Sequence, residues 1–101
     1  MKMQWLSGKL VEQAQTGGTI MYNNAEFEAH IENSKQQLSR NIKHFRKVRK
    51  ISQQALADSS GLHRTYISDL ENAKCNPTLG VLISIADSLN VSLKQLLFRN
   101  S

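Results

Sequence analysis

Residues 52–72, SQQALADSSGLHRTYISDLEN, place two short amphipathic segments on either side of a single glycine. Ser52 is positioned to cap a helix beginning at Gln53, in which Leu56 and Ala57 face inward while Gln53, Gln54 and Asp58 stay polar. Gly61 supplies the left-handed backbone that closes a helix at no Cβ cost, and Ile67 and Leu70, three apart, restart an apolar face at once. Two helices joined across so short a turn must cross steeply.

That crossing leaves one side of the second helix unable to reach its own core. With Ile67 and Leu70 pointing inward, Arg64, Thr65, Ser68 and Asp69 form an outer face of short polar groups and one long fork. Such a face suits the base edges of a DNA major groove. A guanidinium donates twice to guanine O6 and N7, Ser and Thr donate or accept, and Asp accepts from cytosine N4. Leu62 and Ile67 fit a hydrophobic staple, although His63 is not a favoured N-cap. From spacing alone, an ordinary helical hairpin on a small bundle remains the competing reading.

Several residues in fixed order go further. Arg46, the run SQxxLAxxxG over 52–61, LHRTYISDLEN over 62–72 and NPTL from Asn76 resemble the Xre and Cro/CI family of DNA-binding domains. The HRTYIS run is similar to controller proteins of restriction-modification systems. The resemblance covers residues 38–98, about two thirds of the chain. It implies an all-α, five- to six-helix repressor-like helix-turn-helix domain over residues 35–101, with residues 1–34 as an N-terminal extension. It also implies that Arg46 pairs with Glu71, locking the first helix of the domain to the third as a structural ion pair. The family often has Gly where this chain has Lys50, Ala73 and Asn90, and the first two departures bear on local turn geometry.

Charge agrees with a polyanionic partner. The net charge is +5, and it is unevenly distributed: residues 1–34 hold two bases against four acids, whereas residues 35–101 hold eleven against four. Seven of the bases fall within residues 35–50. The set expected to contact double-stranded DNA is His63, with Arg64, Thr65, Ser68 and Asp69 for reading, and Gln53 at a helix N-terminus, Tyr66 and Lys74 for phosphate positioning. The single cysteine, Cys75, excludes an internal disulfide and fits a reducing cytoplasm. No apolar run is long enough for a membrane span.

Towards the N-terminus the pattern is weaker. Trp5, Leu6, Leu10 and Val11 are spaced as a short helix could use them, Gly17 and Gly18 break that segment, and residues 19–22 are β-prone but too short to stand alone. Met21 is a possible natural start. From Asn24 the chain turns helical, and a stripe of Phe27, Ile31, Leu38, Ile42 and Phe45 supports one helix from Ala25 to Lys50. The S-x-x-Q box of Ser34 and Gln37 instead favours two helices meeting near Ser34. The acidic extension suits extra core or dimer packing better than a DNA-contacting arm, which needs Arg or Lys.

Beyond the motif, Pro77 and Thr78 open a helix whose predicted core face is Leu79, Leu82, Ile83, Ala86 and Leu89, closed by Asn90. Ser92 and Gln95 form a second S-x-x-Q box opening a last helix with Leu93, Leu96, Leu97 and Phe98. Four large apolar residues in six exceed one thin core, so these four are the expected homodimer interface; in the family resembled, the last helix commonly makes the twofold contact.

Other chemistry finds little support. His30, His44, His63 and Cys75 lack metal-ligand spacing, no Gly-rich phosphate loop follows a strand, and no strand-turn-helix frames a nucleophilic serine, so neither an enzyme nor a cofactor is expected. Cys75 beside Lys74 has a redox-switch reading, with an incidental small residue as the plainer one. The reading is a homodimeric transcription regulator binding a twofold-symmetric operator. Two alternatives stand: an antitoxin whose residues 1–34 bind a toxin or other protein partner, and a protein-interaction module in which the acidic 25–31 region docks a protein.

Overall fold

The computed structural model of the protein describes residues 3–6, 9–12 and 23–99. The chain divides into two units, Met1–Ser34 and Lys35–Ser101. In the first, β1 (Met3–Leu6) and β2 (Lys9–Glu12) pair antiparallel, with Met3 opposite Glu12 and Leu6 opposite Lys9. The expectation of a short helix around Trp5 to Val11 is therefore corrected to a two-stranded ribbon. Ser7-Gly8, a turn-forming dipeptide between two β-prone runs, was the available signal. Gly17, Gly18, the β-prone run over 19–22 and Met21 lie outside the described residues.

Five helices follow: α1 (Asn24–Val48), α2 (Gln53–Ser60), α3 (Arg64–Glu71), α4 (Leu79–Leu89) and α5 (Leu93–Phe98). Asn23 caps α1 by accepting from the Glu26 amide at 2.7 Å. The predicted break at Ser34 is absent. Ser34 Oγ donates to the His30 carbonyl one turn back, 2.9 Å away, so it sits in the helix interior and caps nothing. Ser92 carries the same S-x-x-Q signature and makes a true capping box with Gln95, each side chain bonding the other residue's amide at 3.0 and 2.9 Å. What differs is the residue pair before the serine. Asn90 adopts φ 56° and Val91 packs against the core, which takes the chain out of α4 before Ser92 begins α5.

The core is built from Leu38 and Ile42 of α1, Leu56 and Ala57 of α2, Ile67 and Leu70 of α3, Ile85, Ala86 and Leu89 of α4, and Leu96 of α5. Two expectations from the sequence are corrected by this packing. Leu79 and Ile83 are exposed, because α4 turns Ile85, Ala86 and Leu89 inward. Leu96 is fully buried in its own protomer, so it is not available to a second copy.

Polar bonds fix the remaining angles. The buried Asn41 donates to the Leu96 carbonyl at 2.7 Å, Ser39 Oγ donates to the Leu70 carbonyl at 2.6 Å, and Ser84 Oγ donates to the Ser60 carbonyl at 2.7 Å. These tie α1 to α5, α1 to α3 and α4 to α2. Unpaired carbonyls at helix ends are costly when buried, so each bond both satisfies an acceptor and sets a crossing.

Candidate nucleic-acid interface

The interface begins at the turn between α2 and α3. Ser52 accepts the Ala55 amide at 3.0 Å, which starts α2 and leaves the first amides of the helix, those of Gln53 and Gln54, for an external acceptor. At the other end Gly61 adopts φ 74°, and the Leu62 amide bonds the Ala57 carbonyl at 3.0 Å. A Cβ on Gly61 would meet nothing within 4 Å, so backbone conformation, not space, is what favours glycine there. His63 stands at the N-cap of α3 in extended geometry without a side-chain cap bond. Leu62 and Ile67 occupy the staple positions around it, and both pack into the core.

With Ile67, Leu70 and Glu71 buried, α3 turns Thr65, Ser68 and Asp69 outward; Arg64 lies at one edge of that face and Tyr66 at the other. Arg64, Thr65 and His63 are exposed, and Ser68 and Asp69 are half-buried. Asn72 falls in the same outward arc and had not been singled out from the sequence. It lies four residues after Ser68 and donates to the Ser68 carbonyl at 2.8 Å. An amide at that spacing is a signal that base readout would have justified.

Behind this face is a polar network. Arg46 Nε donates to Glu71 Oε2 at 2.6 Å and Nη2 donates to Oε1 at 2.9 Å, while Nη1 satisfies the Ile51 carbonyl at 3.0 Å. Donating to the Glu71 carboxylate raises the Arg46 pKa, against the lowering effect of burial. Gln53 joins the pair to the outer face: its Nε2 donates to Glu71 Oε1 at 3.2 Å and its Oε1 accepts from Arg64 at 3.3 Å. Arg46, Gln53, Arg64 and Glu71 are thus brought together, and the Gln53 amide side chain is committed within the protein.

Tyr66 and Lys74 sit elsewhere. The Lys74 amide bonds the Asp69 carbonyl at 2.9 Å, which holds its exposed side chain in the loop after α3. Tyr66 is half-buried against Cys75 of the same loop; burial first, then the Cys75 thiol, raises its pKa. Burial likewise pushes the Cys75 thiol up, more than its hydrogen bond with Tyr66 brings it down. A raised thiol pKa disfavours the thiolate, which weighs against the redox-switch reading. Among the described residues no helix is long and apolar enough to cross a membrane.

This arrangement of helices can be compared with known proteins. The model of the helix-turn-helix family matches residues 42–96, more than half of the chain. The chain belongs to the helix-turn-helix family, in its Xre and Cro/CI branch. It is 45% identical over 65 residues to the control protein C.SmaI of Serratia marcescens, covering 64% of this chain and 77% of that one. The crystal structure of the restriction-modification controller protein C.AhdI from Aeromonas hydrophila is similar, with a TM-score of 0.62 and 25% identity, covering 63% of this chain and 97% of that one. The P22 c2 repressor, in complex with a synthetic operator, gives 0.59 and 28%, covering 62% and 96%. Members of the family are DNA-binding transcription regulators, and restriction-modification controllers are among the proteins this chain resembles. The family match starts at Ile42, so the ribbon and most of α1 lie outside it.

Proposed function

We propose that the protein is a homodimeric, sequence-specific double-stranded DNA-binding regulator of transcription. The observation that carries this reading is the outward face of α3, where Arg64, Thr65, Ser68 and Asp69 stand on a helix held from behind by the Arg46–Glu71 pair. A helix so held presents polar groups at fixed positions, which base-edge recognition requires. His63 borders the same face. Phosphate positioning falls to the N-terminus of α2 at Gln53, to Tyr66 and to Lys74. In this division residues 35–101 are the DNA-binding domain and residues 1–34 an extension to it.

Dimerisation rests on apolar surface that the protomer does not cover. Phe98 is 70% exposed, and Leu93 and Leu97 are half-buried on the same short helix. Two recognition helices related by a dyad enter successive major grooves, so half-sites fall about 10 bp apart. Retention on duplex DNA across a salt series tests the function. Affinity for duplex should fall steeply with log salt concentration, and footprints should cover paired half-sites. Salt-insensitive retention would favour a protein-interaction module instead, and one unpaired site would count against the dimer.

A further inference from the structure

Much of the positive charge on α1 lies outside the face described above. Between Lys35 and Ala57 the sequence has no Asp or Glu, and the one buried carboxylate that reaches this stretch, Glu71, is occupied by Arg46 and Gln53. Arg40, Lys43 and Lys47 follow one another at i, i+3 and i+7, within an arc of about 60° of the helix surface. Lys50 continues the line at the helix end. Arg40, Lys47 and Lys50 are exposed and Lys43 half-buried, and no carboxylate pairs with any of them among the described residues. The helix dipole accounts for cations in the last turn, Lys47 among them, but not for Arg40 or Lys43. Like charges one turn apart repel, so an ordinary solvated face would intersperse acids, whereas the acids of this helix, Glu26, Glu28 and Glu32, all precede its first base, Lys35.

The side of the helix matters as much as the charge. Ser39 and Arg46 bond to α3 residues and mark the edge of α1 that faces α3, whereas Asn41 bonds to α5 and marks the other edge. Stepping about 100° per residue puts Lys43 nearest the first edge, Lys47 next to it, and Arg40 on the outermost line of the helix, midway between the two edges. The C-terminal end of the line reaches Lys50, two residues before the cap of α2 where a phosphate is expected. From the helix end at Val48 the line runs back along α1 to Arg40 for about 12 Å, at 1.5 Å per residue.

We propose that Arg40, Lys43 and Lys47 form a phosphate track that engages duplex DNA beyond the base-read half-site and lengthens the footprint into its flank. The proposal rests on the reading of α3 as the base-reading helix. The partner is recognised by backbone charge alone, so the flank carries no sequence requirement.

The test uses the full chain, the triple variant Arg40→Gln/Lys43→Gln/Lys47→Gln, and the single variant Lys47→Gln. Each is titrated against an operator recovered by selection from random duplexes. One duplex is trimmed to the base-read half-sites, and the other adds about 10 bp on each side. The expected result is tighter wild-type binding to the longer duplex, with a slope of log affinity against log salt steeper by about three per protomer. The triple variant should bind both duplexes alike, and Lys47→Gln should lose about a third of the increment in slope. Equal wild-type affinity for the two duplexes, with specificity intact, overturns the track and leaves the reading of α3 standing. A triple variant weakened to the same extent on both duplexes also overturns it. Salt-insensitive binding of wild type to either duplex overturns the track and the reading of α3 together. Circular dichroism of both variants, with helicity unchanged, establishes that they are folded.

Discussion

Arg46 of α1 holds Glu71, the last residue of α3, through two hydrogen bonds of 2.6 and 2.9 Å, and the carboxylate side chain is 1% exposed. The same carboxylate accepts from Gln53 of α2. One buried acid therefore sets three helices relative to one another, and the outward face of α3 inherits its orientation from that junction. A buried pair of this kind is a geometric device before it is a source of stability.

Glu71→Ala strands the Arg46 guanidinium at a helix junction. Losing one partner of a largely buried, two-bonded pair costs about 3 kcal/mol, which corresponds to a fall in Tm of about 10–20 °C for a domain of this size. Thermal denaturation measures it. Base preference determined well below the melt should be unchanged, and a Tm within a degree of wild type would show that the pair contributes nothing net.

Among the described residues, three other than glycine have left-handed backbones: Lys50 at φ 58°, Ala73 at 56° and Asn90 at 56°. An L-residue there costs about 1–2 kcal/mol, and glycine recovers this less an unfolded-state term of about 0.4–1 kcal/mol. Lys50 is exposed, so Lys50→Gly should stabilise by about 0.5–1 kcal/mol in denaturant titrations. Ala73→Gly gains less because it removes a buried methyl, and Asn90→Gly changes little because asparagine already tolerates the geometry.

Leu96 and Phe98, two residues apart on α5, should separate folding from assembly. Leu96→Ala removes a fully buried side chain and should cost about 2–5 kcal/mol of fold stability. Phe98→Ala should leave helicity and Tm of the monomer nearly unchanged while sedimentation shows dissociation. A Phe98→Ala protein that stays dimeric would move the interface to another surface, with the exposed Leu79 and Ile83 of α4 as the next to test.

These two residues also mark where sequence reasoning reaches its limit. Local chemistry was legible: Ser52 and Ser92 cap, Gly61 and Asn90 close helices, and the hairpin of α2 and α3 follows from them. The Arg46–Glu71 pair came from resemblance, since nothing in spacing alone joins residues 25 apart. What was not legible depended on third partners. Both Leu79 and Ile85 fit an apolar stripe on α4, and only the position of α2 and α5 decides that Ile85 goes inside. Ser34 has a capping signature without a chain reversal before it, so its hydroxyl finds a carbonyl in the same helix. The ribbon of β1 and β2 was missed because Trp5, Leu6, Leu10 and Val11 satisfy a helical period as well as a strand pairing.

Arg64 and Lys74 should fail in different ways. If Arg64 contacts a guanine in two places, Arg64→Ala removes about 1–3 kcal/mol of discrimination at that base pair and leaves the others read as before. Lys74→Ala should weaken all duplexes about equally and reduce the salt slope by roughly one. Equal weakening of operator and scrambled duplex by Arg64→Ala would make Arg64 a phosphate clamp, leaving Thr65, Ser68 and Asp69 to read bases.

The most direct test of the central claim, that α3 reads base pairs in a symmetric duplex site, is selection of binding sequences by the purified full chain from a random pool, followed by footprinting on the enriched sequence. The account predicts an inverted repeat whose half-sites lie about 10 bp apart, with protection of both. Enrichment of no sequence, or of one without internal symmetry, would contradict it.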